Sequence, residues 1–332
     1  MPLSALPDDA SLPAFLDDRT RNPYCDQRQP LTHAGRTAKK REPFDALIDA
    51  LVWMRREAKS REAKMTTTRI QKYGAHGSLG AISMIVVIES LRDGDWKTGR
   101  ALRDDLEIIA LPYGNDLQVH YKTARNADEL EFLLRELNGY VSRSGRAPCL
   151  HIECHGDADG IELSDGSRMP WSRLKPLLVN INLTSRMNLF LVLACCHGAY
   201  FLPECRYHET VPFAWMFGPG KEIKADPMLA LSGAFYAELL KGRDITEALT
   251  IGGVARPAIS YASMSAVGVF RVALTARIKG AARESRARIR AVEEPQFDHY
   301  RRRFFALDEF PEIADRFAIT YSEVLAEVEA AA

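Results

Sequence analysis

The sequence predicts an α/β protein with a mainly parallel sheet and helices on both of its faces. Three observations lead there. Apolar runs of strand length recur at Ile82–Ile88, Leu150–Gly156 and Leu189–Gly198. Amphipathic stretches of helical period separate them, as parallel crossovers require. Two of the runs end in short polar tips, His155-Gly156 and Cys195-Cys196-His197-Gly198, where a parallel sheet would put both at one edge.

The elements follow in order. Residues 1–42 are rich in Pro, Asp, Arg and Thr without apolar period, and read as a flexible N-terminal segment. In 43–75, Phe44, Leu47, Leu51 and Met54 predict an amphipathic helix whose second half is charged, followed by a linker. Ile82–Ile88 is the first buried strand. Thr98–Leu111 is a helix with Leu102, Leu106 and Ile109 on one face. Leu117–Tyr121 alternates as a short strand. Asn126 is placed to cap the next helix, whose stripe is Leu130, Leu133, Leu134 and Leu137. The His-bearing strand follows Pro148, then a small hairpin at Gly160–Arg168 around Ser164-Asp165-Gly166. Trp171–Leu178 is a helix, with a kink or early end expected at Pro176. After the Cys-bearing strand, Val211–Phe217 is read as a strand and Pro227–Lys241 as a helix ended by Gly242. Another helix begins at Asp244. Residues 276–332 form a helical C-terminal region, basic to about 303 and acidic beyond, set apart from a domain spanning 76–275.

Composition narrows the function classes. A formal net charge of zero gives no global field toward nucleic acid or membrane, and neither partner is expected. No run reaches the roughly 18 apolar residues of a membrane span. Six cysteines in 332 residues do not make a disulfide framework. Together with a polar N-terminus that lacks a signal-peptide pattern, they point to reduced thiols and a cytoplasmic setting.

A His and a Cys delivered to one sheet edge suit a nucleophile and its base. The order of the motifs also resembles the caspase-like cysteine peptidases of clan CD, with the bacterial CHAT-domain branch as the best fit. The resemblance rests on an apolar strand ending in His155-Gly156, a hairpin, a helix, and an apolar strand ending in Ala194-Cys195-Cys196-His197-Gly198. Lys97-Thr98-Gly99 and Thr123 look like its first half. Phe213–Phe217, Ala234–Gly242 and Glu247-Ala248-Leu249 look like its end.

The resemblance implies a thiol protease in which His155 is the base, Cys196 the nucleophile, and the N–H groups of Gly156 and Cys196 the oxyanion donors. Cys196 is preferred over Cys195, because neighbouring strand residues face opposite sides. No Asp or Asn is needed in the family's dyad, and none is identifiable from the sequence. Ala194 occupies the position that reaches into the S1 pocket. An Ala there carries no charge, so an uncharged P1 side chain is favoured. Lys97 and Glu89, with Asp93 and Asp95, lie near positions where relatives place pocket charges, and their signs conflict. His151 is read as structural. No cofactor is expected.

The implied partners are a protein substrate, with gasdermin-like pore formers among the candidates, and an activating partner. The implied setting is antiviral defence or programmed cell death. The alternative is a catalytically silent caspase-like scaffold for protein–protein interaction. A metal-binding regulator using Cys154, His155, Cys195, Cys196, His197, Cys205 and His208 is a third reading, weakened by the lack of zinc-knuckle spacing.

Overall fold

A computed structural model describes residues 82–254, 261–282 and 286–330. The expected flexible segment and the 43–64 helix lie outside them. The first strand, β1 (Met84–Ser90), is buried at all of its positions, as an apolar run covered on both faces must be. Helix α1 (Thr98–Ala110) follows, then β2 (Gln118–Thr123), α2 (Ala127–Ser144) and the His-bearing strand β3 (Pro148–Gly156). Asn126 caps α2 as expected, its side chain accepting the N–H of Glu129 at 2.8 Å. A hairpin of β4 (Gly160–Glu162) and β5 (Arg168–Pro170) leads into α3 (Trp171–Thr184). Then come β6 (Phe190–Ala194), a 3-10 helix (Gly198–Glu204), β7 (Trp215–Pro219), α4 (Ala225–Leu240) and α5 (Ile245–Val254). The chain ends with β8 (Tyr261–Ser265), α6 (Ala266–Ala282), α7 (Arg286–Phe304), a 3-10 helix (Pro311–Phe317) and α8 (Tyr321–Ala330).

The sheet order is β2-β1-β3-β6-β7-β8, parallel throughout except for the antiparallel β8 at one edge, so the expected mainly parallel α/β sheet is present. Alternation divides the core. Ile85, Val87, Cys149, Phe190, Val192 and Ala194 face α1, α4 and α5. Val86, Ile88, Ile152, Cys154, Leu193 and Cys195 face α2, α3 and the C-terminal helices.

Two expectations need correction, and one strand is added. Pro176 does not end its helix early: α3 runs to Thr184. The missing N–H costs one hydrogen bond, which burial of Trp171, Leu174, Leu177, Leu178 and Ile181 on one face outweighs. The strand expected at Val211–Phe217 lies at Trp215–Pro219. Val211 and Phe213 are buried as connecting chain instead, with Val211 N–H bonded to Phe304 O. Strand β8 is an addition the sequence did not suggest. Residue 275 falls inside α6, and Phe270, Phe297, Phe304, Phe305 and Phe317 pack in the same core as the sheet. Within the described residues, the C-terminal region therefore completes the sheet's core.

Candidate active site

In β3 the residues His151, Glu153 and His155 share one face by alternation. In β6, Phe190, Val192 and Ala194 do the same. Glu153 pairs in register with Ala194, the last residue of β6; His155 lies two residues further along β3, and Cys196 two residues further in the turn that follows β6. Both lie at the C-terminal edge of parallel strands, where the last main-chain groups of the sheet open onto loops. The two adjacent thiols separate. Cys195 is buried in the opposite core beside Cys154, to which it is hydrogen-bonded. Cys196 is partly exposed.

Two glycines allow this close approach. A Cβ on Gly156 would stand 2.6 Å from the Cys196 carbonyl oxygen, so the His strand and the Cys turn touch through backbone. Just past Cys196, His197 takes up a left-handed conformation (φ 60°) and Gly198 N–H bonds to Cys195 O. The turn is thereby tight enough to lift Cys196 off the strand. A Cβ on Gly198 would meet Leu193 O at 2.6 Å.

His155 Nε2 lies 2.8 Å from Asp95 Oδ2, on the loop between β1 and α1. Sequence reasoning named Asp95 only as one of several acids near a pocket and found no third member for the pair. That loop is clamped. Asp95 Oδ2 also accepts Arg92 N–H (2.9 Å), Asp95 N–H donates to Arg92 O (2.9 Å), and the Lys97 ammonium holds the carbonyls of Leu91 (2.5 Å) and Arg92 (2.7 Å). The Arg92 guanidinium pairs with Glu162 on β4, the residue opposite His155.

The Cys196 thiol is held by the segment after β7. It accepts Ile223 N–H at 3.4 Å and faces Ile223 O at 3.6 Å, while His197 N–H donates to Lys221 O. Burial pushes this thiol up from its ordinary range. Ile223 N–H opposes the rise, and Cys195 and Glu222 add to it.

The remaining candidates are accounted for by position. Ala194 is buried in the sheet floor beside Glu153. Glu89 is buried too. It accepts Arg100 N–H and the Tyr121 hydroxyl, and burial raises its pKa. Lys97 points its ammonium at the loop carbonyls just described. His151 sits in a buried polar chain with Glu153 (2.9 Å) and the Tyr236 hydroxyl (3.3 Å), and Thr98 closes it by donating to Glu153 (2.6 Å). Glu89 and Glu153 thus bond to the first residues of α1, whose N–H groups and dipole favour anions. Among the described residues, no group of three His, Cys, Asp or Glu is arranged to hold a metal ion. No helix among them is long and apolar enough to cross a membrane. No family model and no curated protein matches this sequence.

Proposed function

We propose that this protein is a cysteine endopeptidase in which His155 and Cys196 act as a pair. The observation that supports this reading is the meeting of both residues at one sheet edge, with Gly156 backbone against Cys196 and the second cysteine turned into the opposite core. In the first step, Cys196 gives its proton to His155 and the sulfur attacks the substrate carbonyl carbon. The N–H groups of Gly156 and Cys196 hold the oxyanion. Collapse expels the amine, which takes the proton from His155 and leaves an acyl-enzyme. Water then gives a proton to His155 and displaces the thiol, which recovers it.

The resemblance puts Ala194 at the S1 position, and on that ground a small or apolar P1 side chain is favoured. The resemblance to CHAT-type peptidases supplies the wider setting: a protein target, gasdermin-like pore formers included, cut in a bacterial defence or cell-death response after a partner releases the enzyme. The hold of Ile223 on the Cys196 thiol fits such a resting state, and it also favours the second reading, a silent scaffold.

An activity-based thiol probe separates the two. The enzyme reading expects a single labelled site, Cys196, with labelling abolished in Cys196→Ala, cut at least tenfold in His155→Ala, and retained in Cys195→Ala. Equal labelling of wild type and His155→Ala would favour the scaffold.

A further inference from the structure

We infer that Asp95 is a positioning residue for His155, so that the working unit is a Cys-His-Asp array rather than a dyad. The inference rests on the peptidase reading above. An imidazole has two ring nitrogens, and in the neutral ring one donates while the other accepts. With the Asp95 carboxylate at 2.8 Å, Nε2 carries the proton, and Nδ1 is left as the base that takes the proton of Cys196. When that transfer makes an imidazolium, the carboxylate is already in place beside it, in an environment only partly open to water.

The loop is built to hold this arrangement. One carboxylate oxygen serves both His155 Nε2 and Arg92 N–H. Lys97 fixes the two carbonyls at the start of the loop, and the Arg92–Glu162 pair ties it to the hairpin strand that runs opposite His155. The Arg92 N–H bond is local to the loop and shapes its turn. The imidazole contact reaches across to a different strand, 60 positions away in sequence. Lys97, offered by sequence reasoning as a substrate-binding group, acquires a purpose here. It fastens the loop that aims Asp95.

The test is a double-mutant cycle read by iodoacetamide alkylation of Cys196 at neutral pH, quantified by peptide mapping, so that it needs no known substrate. The four full-length proteins are wild type, Asp95→Ala, His155→Ala and the double variant. Asp95→Ala should slow alkylation about tenfold in the wild-type background and less than about twofold when His155 is already gone, because Asp95 acts through the imidazole. Asp95→Asn keeps an oxygen for Arg92 N–H and for Nε2–H but loses the charge, and should recover part of the rate, which also guards against a merely misfolded Ala variant. If Asp95→Ala slows alkylation equally in both backgrounds, or not at all while His155→Ala does, Asp95 has no positioning role and the His-Cys pair stands. If His155→Ala itself changes nothing, the pair reading fails and this inference falls with it.

Discussion

At residues 195 and 196 one side-chain type meets two environments. Alternation sends Cys195 into the core with Cys154 and leaves Cys196 partly exposed. The resulting reactivity can be ordered. Burial pushes the Cys149 thiol up to about 12 and raises Cys205 further, and Cys195 is also raised well above the ordinary range, with its bond to Cys154 and its burial responsible. Cys196 is raised as well, so on its own it forms thiolate only as pH climbs above the usual thiol range. On the peptidase reading, its neutral-pH reactivity comes from transfer to His155. Among the cysteines of the described residues, alkylation of the native protein should therefore mark Cys196 first and leave Cys149, Cys195 and Cys205 unmarked. His155→Ala should remove the neutral-pH component and spare the alkaline one. A rate that is flat from pH 7 to pH 10 in His155→Ala would contradict this.

The different settings of Cys195 and Cys196, one buried and one partly exposed, were legible in the sequence, because strand alternation is a local rule. Asp95 was not. Its contact depends on a loop folding back between two strands, and the sequence places it among Glu89, Asp93 and Lys97 with nothing to rank them. Glu89 illustrates the same limit: buried beneath the start of α1, it bonds to the helix and to Tyr121.

At the scale of elements, the buried strands and amphipathic helices were readable because each carries a local period. What escaped depended on tertiary context. Strand β8, Tyr261–Ser265, is short, half-buried and without a clean alternation of apolar residues, so only its pairing with β7 defines it. Pro176 is overridden by the packing of α3. The join between β6 and the 3-10 helix also rests on context, since Gly198 is pressed against Leu193. A Cβ there would meet Leu193 O at 2.6 Å and Leu193 Cβ at 2.9 Å, and neither is the far end of a flexible side chain. Gly198→Ala should destabilise the protein by about 1–3 kcal/mol through overpacking. Gly233 lies inside α4 with nothing near the place its Cβ would occupy. Gly233→Ala should therefore stabilise by roughly 0.5–1 kcal/mol through helix propensity. Urea midpoints measure both, and a Gly198→Ala midpoint at or above that of wild type would refute the close-approach argument.

For the molecule as a whole, the sheet is closed on one face by helices from its own crossovers and on the other partly by the C-terminal region. Phe305 stacks on Phe317 at 4.5 Å, Phe270 touches Phe297, Phe304 and Phe305, and the Arg316 guanidinium bonds to Met187 O at 3.0 Å. Phe297, Phe304 and Phe305 sit within or just beyond a stretch that reads as basic, which is why the sequence suggested an appended region. Two of its arginines are neutralised locally, Arg301 by Asp298 and Arg302 by Asp308. The sheet's C-terminal edge is thus left as the place where loops from β1, β3, β6 and β7 converge on His155 and Cys196.

The central claim is that these two residues cleave peptide bonds together. Its most direct measurement is the digestion of a proteome-derived peptide library by the full-length protein and by Cys196→Ala, His155→Ala and Cys195→Ala, with new termini identified by mass spectrometry. The account predicts cleavage by wild type and Cys195→Ala, after uncharged P1 residues, and none by Cys196→Ala or His155→Ala. Cleavage that persists in Cys196→Ala, or that is lost only in Cys195→Ala, would contradict it.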